Sequence, residues 1–257
     1  MTSAVLSSPE EIGVYVAKEI GDEIVRASKE NREFVLGCPG GRSPRAIYQA
    51  LAQEVRKRGI PLNHVSIAMM DEYARESRGE FTNVDPAVHY SCTRFAELEI
   101  GKPLNDAAGA GHELKSIRVP DARHPKEYEA WLREVGIDYF ILASGASDGH
   151  IAFNPPGSPR ESVTRVVEVA LTTRIDNLGT FPEFKSVEDV PKYGVTVGID
   201  TIASLSKKVT MVIHGRHKRE AVIELLKRLK YDSTWPASIF HECVNRELVI
   251  DIEASQA

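Results

Sequence analysis

The chain has 257 residues, 42% of them hydrophobic and 27% charged, with a formal net charge of −5. That balance excludes a disordered chain and argues against a nucleic-acid surface, while leaving room for a local basic pocket that takes a small anionic metabolite. Cys38, Cys92 and Cys243 are odd in number and unclustered, so neither a disulfide framework nor a CxxC metal site is expected. No run approaches the roughly twenty apolar residues of a membrane span and no export signal is read, so the expected location is the cytoplasm.

Ser8-Pro9-Glu10-Glu11 reads as a capping box with proline at the first helical position, and Ile12, Val16, Ile20 and Ile24 then recur every fourth residue, which predicts an amphipathic helix. Glu33-Phe34-Val35-Leu36 is a short buried strand. Gly37-Cys38-Pro39-Gly40-Gly41-Arg42-Ser43-Pro44 breaks it before a helix carrying Ile47, Leu51 and Val55, with Ser43 as the predicted N-cap and Pro44 as the first helical residue. Strand, glycine-rich turn and helix in that order make an anion site, because free backbone N–H groups and the positive helix end face the turn. Gly40, Gly41, Arg42 and Ser43 are its candidate contacts; the full Walker A pattern is missing, and an ordinary βα loop is the alternative reading.

His64-Val65-Ser66-Ile67-Ala68-Met69-Met70 is a second strand that runs directly into Asp71-Glu72-Tyr73. Residues 74–85 read as a polar mobile loop of the kind that closes over a site, residues 86–98 as a helix with Val88, Phe95 and Leu98 inward, and residues 101–115 carry no period. A short strand is expected at residues 118–120 and a helix at 124–135. Ile137-Asp138-Tyr139-Phe140-Ile141-Leu142 has the continuous apolar character of a buried parallel strand. Asp148-Gly149-His150 follows at its carboxyl end, where open α/β sheets bind ligands, so Asp148 and His150 are candidates for acid/base work. A polar turn in which His150 donates to a backbone carbonyl is the alternative.

Three prolines within residues 154–159 forbid regular structure and suggest a loop over the site. Residues 164–169, 191–198, 208–213 and 247–252 read as strands, and residues 171–192 as mostly loop. His214-Gly215-Arg216-His217-Lys218 forms a basic turn before a helix carrying Ala221, Val222, Leu225, Leu226 and Leu229, with His214 and His217 expected in solvent; Trp235-Pro236 either packs or begins a last helix. Strands alternating with helices imply an α/β layer sandwich over residues 1–257, a mostly parallel sheet with helices on both faces and right-handed crossovers.

Four motifs together, Gly40-Gly41-Arg42-Ser43-Pro44, Met70-Asp71-Glu72-Tyr73, Asp148-Gly149-His150-Ile151-Ala152-Phe153-Asn154, and Val190-Pro191-Lys192-Tyr193 with Thr196-Val197-Gly198, resemble the family of glucosamine-6-phosphate deaminase and 6-phosphogluconolactonase. The resemblance runs from about residue 10 to residue 252. It implies a modified Rossmann-like fold, a hexose or hexosamine 6-phosphate substrate, and neither cofactor nor metal. No nucleic-acid or membrane partner is implied, and a homo-oligomer is left open. The second, third and fourth motifs look like the deaminase, the first more like the lactonase. Carried over by position, Asp71 resembles the carboxylate that moves a proton between C1 and C2, His150 the ring-opening group and Asp148 its charge partner; Gly40, Gly41, Ser43, Arg174 and Lys218 match the positions that hold the 6-phosphate, with Arg42 and Glu72 as further candidate substrate contacts. Two departures stand out: Pro155 occupies the place of the family's histidine-partnering glutamate, and Ser144 and Ala146 occupy the places of glycines before Asp148. The alternatives are a lactonase, with His150 activating water, and a sugar-phosphate-binding protein without catalysis.

Overall fold

The structure, a computed structural model, describes residues 2–256. Its frame is a seven-stranded sheet in the order β1 (Thr2–Leu6), β11 (Arg246–Asp251), β10 (Val209–Ile213), β7 (Tyr139–Leu142), β2 (Phe34–Cys38), β3 (Val65–Met69), β6 (Ser116–Arg118). Every pairing in it is parallel. Side chains alternate across a strand, so neighbouring residues feed two cores. Val35, Phe140, Leu142, Met211 and Leu248 face α5 (Pro125–Val135), α7 (Ile199–Leu205) and α8 (Arg219–Lys227). Phe34, Leu36, Ile141, Val212 and Val249 face α1 (Pro9–Lys29) and α2 (Arg45–Arg58) on the other side. The α/β sandwich is thus the expected one.

α1 begins as the sequence predicts: Ser8 Oγ accepts the Glu11 N–H at 3.3 Å, although the Glu11 carboxylate reaches back to the N–H of Ser7 rather than of Ser8. Ser43 does not cap α2. Pro44 takes the cap position with no side-chain bond, so Ser43 stays in the turn.

A second, antiparallel sheet was not anticipated. It is ordered β5 (Glu80–Asn83), β4 (Asp71–Ser77), β9 (Tyr193–Thr196), β8 (Arg165–Glu168). Residues 74–85, read as a mobile loop, form most of a hairpin whose two turn residues, Arg78 and Gly79, both have positive φ, as a tight two-residue connection requires. The hairpin escaped notice because its outer residues are polar and exposed, whereas β8 and β9 lie where residues 164–169 and 191–198 read as strands.

Three further expectations are corrected. The helix placed at 86–98 starts later, as α3 (Cys92–Phe95), and continues through a π-helical turn, Ala96–Gly101, into α4 (Lys102–Ala108), leaving Leu98 outside. Residues 171–192 are not mostly loop but contain α6 (Leu171–Thr180), whose one fully buried residue, Thr173, gives no apolar period. The proline-rich segment does not cross the site: Gly157 N–H bonds to Ser233 O and Ser158 O accepts from the Tyr231 hydroxyl, so it packs on residues 231–233. Trp235 is buried, so the packing reading holds; Pro236 opens a 3-10 turn rather than a last helix. α9 (Ile252–Ser255) closes the chain.

The chain steps from β2 to β3 and β6 in one direction and from β7 to β10 and β11 in the other. The order reverses between β2 and β7, and the crevice at their carboxyl ends is where a fold of this kind binds its ligand.

Candidate active site

A cavity of about 360 Å³ lies in that crevice. The turn after β2 contributes Gly40, Gly41, Arg42 and Ser43, the junction of β3 and β4 contributes Asp71, the turn after β7 contributes Ser144, Ala146 and His150, and the turn after β10 contributes His214, His217 and Lys218. α6 adds a wall of Thr173, Asp176, Asn177 and Thr180.

One end is basic. Gly41 has φ +82°, a backbone state open to glycine, and the Tyr48 hydroxyl ties the Pro39 carbonyl at 2.7 Å, so the turn is held against the cavity. His214 bonds to the Ser43 carbonyl at 3.2 Å, joining the β2 and β10 turns. His214 is therefore half-buried rather than solvated, whereas His217 is exposed, as expected, at the cavity's edge. Lys218 bonds to the Ser144 carbonyl; burial lowers its ammonium to about 8, opposed by Asp176 and helped by Arg42. Burial, with Lys218 and Arg42 near, also lowers His217. Crowded, desolvated cations of this kind are stabilised by a bound anion.

The other end holds the carboxylate and the imidazole. His150 Nδ1 lies 2.7 Å from Asp148 Oδ1 and 3.0 Å from Thr173 Oγ1, and the Thr172 hydroxyl donates to the second Asp148 oxygen. Nδ1 is thereby taken up, and Nε2 is the ring nitrogen left for a ligand. Burial pushes the Asp148 carboxyl up, but its bonds to His150 and Thr172 outweigh that and hold it below the usual carboxylate range. Gly145 makes the packing feasible, since a Cβ there would stand 2.2 Å from His150 Nδ1. Among the described residues Asp148 is the one charged partner of His150; Pro155 adds none, and the threonines of α6 supply hydroxyls instead.

Asp71 is 6% exposed, and burial raises its carboxyl to about 7, with a bond from Cys92 lowering and Glu72 raising it. Next to it, Glu72 does not reach the cavity. Its carboxylate accepts the N–H groups of Tyr73, Cys92 and Thr93 and the hydroxyls of Ser91 and Thr93, a set of partners that pins the start of α3 to β4. Arg174 is also turned away, donating to the carbonyls of Val187 and Val190. Sequence reasoning missed Cys92, Tyr73, Asp176, Asn177 and Phe181 in the lining. Only the DEY run carried a signal for any of them. Cys38, beside the turn, is a buried filler with its thiol pushed up to about 12.

The family model described as "Glucosamine-6-phosphate isomerases/6-phosphogluconolactonase" matches residues 7–249. The chain belongs to this family. It is 34% identical over 235 residues to "Glucosamine-6-phosphate deaminase 1" of Giardia intestinalis, covering 91% of this chain and 82% of that one. It is 29% identical to "Glucosamine-6-phosphate isomerase" of Candida albicans, covering 99% and 98%. Among solved structures, a monomeric glucosamine-6-phosphate deaminase superposes with a TM-score of 0.84 at 26% identity, covering 99% of both chains. A 6-phosphogluconolactonase from Leishmania guyanensis shares the fold, with a TM-score of 0.70 at 16% identity over 100% and 98% of the two chains. As a member of the glucosamine-6-phosphate isomerase and 6-phosphogluconolactonase family, the chain brings residues of its first three motifs to one crevice, while the fourth backs Asp71–Ala74 through the strand β9. Among the described residues no helix is long and apolar enough to cross a membrane.

Proposed function

We propose that the protein is an enzyme of amino-sugar phosphate metabolism that deaminates and isomerises glucosamine 6-phosphate or a close hexosamine 6-phosphate. The observation that carries this reading is Asp71: a buried carboxyl raised to about 7, opening on the cavity that also holds His150 and the basic turns. A carboxylate poised near neutral pH suits abstraction of a proton from carbon.

The 6-phosphate binds against the Gly40 to Ser43 amides, Arg42 and Lys218. His150, held through Nδ1 by Asp148, uses Nε2 to take the proton of the anomeric hydroxyl and return it to the ring oxygen, which opens the pyranose. Asp71 then takes the proton from C2 and delivers it to C1. The C1–C2 enolamine formed in between becomes a C2 imine. Water adds to the imine carbon, ammonia leaves, and the product is the 2-keto sugar phosphate. Water is consumed, which places the reaction among hydrolyses.

The second reading is lactone hydrolysis, favoured by Arg42 in the lining and by the absence of a second carboxylate on His150. Ammonia release from glucosamine 6-phosphate supports the first reading. Acid release from 6-phosphogluconolactone without ammonia replaces it with the second. Tight binding of both with turnover of neither makes the protein a sugar-phosphate binder.

A further inference from the structure

We propose that Cys92 is a positioning residue for Asp71, its thiol proton holding one carboxylate oxygen so that the other is presented to the cavity. The inference rests on the reading of Asp71 as the proton acceptor. Cys92 Sγ lies 3.5 Å from Asp71 Oδ1, and among the described residues it is the one hydrogen-bond donor to that carboxylate. Both residues line the cavity, and a Cβ on Gly40 would stand 3.9 Å from Sγ, so the thiol fills the space between the anion-binding turn and the carboxylate.

A single donor decides more for a buried anion than for an exposed one, because no water shares the work of orienting it. Burial, with Glu72 and Asp71 near, pushes the Cys92 thiol well above its ordinary range, so it stays protonated and can only donate. The thiol is a weak donor. It fixes the rotation of the carboxylate and costs little basicity, whereas a hydroxyl would bind the anion more strongly and weaken it as a base.

The placement is built by Glu72. That carboxylate takes the backbone N–H of Cys92 at 2.9 Å and clasps Ser91 and Thr93 on either side, fastening α3 to the strand that carries Asp71. The titratable groups around Asp71 are Tyr73 and, turned to the other face, Glu72 on its own strand, Tyr48 from α2, Tyr128 from α5, Cys92 from α3 and His150 in the same cavity. Burial holds the three tyrosines protonated through the working pH range, so their charge does not change as Asp71 titrates.

The test is the pH profile of kcat/KM for glucosamine 6-phosphate, with deuterium uptake at C2 from solvent, in wild type, Cys92→Ala, Cys92→Ser and Asp71→Asn. Removing the donor destabilises the anion, so Cys92→Ala moves the acidic limb up by about 0.5–1 unit and lowers kcat about tenfold with KM little changed. Cys92→Ser supplies a stronger donor and moves the limb down, with kcat within about threefold of wild type. A residue that only fills space would not move the limb in opposite directions. Acidic limbs unmoved in both variants, with Asp71→Asn inactive, overturn the inference and leave Asp71 as the base. An Asp71→Asn enzyme that exchanges at the wild-type rate removes the reading of Asp71 itself. Should Cys92→Ala fail to fold, Cys92→Ser decides alone, and a limb that does not move down overturns the proposal.

Discussion

Asp71 carries opposite demands for stability and for chemistry. Its carboxyl is raised from 3.8 to about 7 by burial, so the folded chain holds a proton there that the unfolded chain has lost. The sign follows: stability present below about pH 4 is lost as pH rises through about 7. Asp71→Asn has no such loss. It is predicted to gain on wild type by roughly 1–3 kcal/mol between pH 5 and pH 8, read as a Tm difference that is small at pH 5 and grows with pH. A difference that stays constant with pH would mean that the carboxyl is not desolvated in the fold. The same residue shows what a sequence can tell. Asp71 and Glu72 are adjacent carboxylates at one strand end, but successive side chains of a strand point to opposite faces, so only one can enter the cavity. The motif marked both. Which of them enters depends on α3, whose Ser91, Cys92 and Thr93 claim Glu72 from a segment about twenty residues on, a pairing that no local pattern announces.

Glu72 matters most at the level of elements, because its carboxylate is the joint between β4 and the start of α3. Truncation would leave the N–H groups of Cys92 and Thr93 and the hydroxyl of Ser91 buried without their acceptor. Glu72→Ala is therefore predicted to cost about 3–5 kcal/mol, measured as a lower urea midpoint at unchanged m-value, the scale expected when several buried donors, each worth about 1–3 kcal/mol, lose their acceptor. A variant as stable as wild type would show that α3 holds its place without the carboxylate. The elements that were legible in the sequence are those whose apolar residues keep a period or a run: α1, α2, α5, α8 and the buried strands of the large sheet. α6 and the β4–β5 hairpin were not, for a common reason. Each is stabilised at its edges by specific partners, Asn177 to the Tyr73 hydroxyl at 2.6 Å and Phe181 and Phe184 against His89, rather than by a buried stripe. Arg174 was misplaced with its helix: bonded to the Val187 and Val190 carbonyls, it braces the segment after α6, while Asp176 and Asn177 take the cavity side.

At the scale of the whole molecule, the strand order draws turns far apart in sequence into one crevice, and it separates the chemistry into a basic end and an acid/base end. Lys218 belongs to the basic end, and its ammonium, lowered to about 8 by burial, titrates just above physiological pH. A bound phosphate favours the charged form, so binding carries a proton with it and weakens as pH rises past that value. The sign is that of any lysine, but the window is lower, since an ordinary surface lysine keeps its charge to about pH 10. A phosphorylated hexosamine at about a hundred times its dissociation constant is predicted to stabilise the fold by about 2.7 kcal/mol at pH 7, and the unphosphorylated sugar to add nothing comparable. Between pH 7.5 and pH 9 that stabilisation shrinks in wild type. In Lys218→Arg it holds level over the same range, because a guanidinium keeps its proton throughout. Equal shifts from the two sugars would remove the phosphate from this end of the cavity. A wild-type affinity that is flat across the range would assign the anion to the Gly40 to Ser43 amides and Arg42, with Lys218 serving only to brace the Ser144 carbonyl.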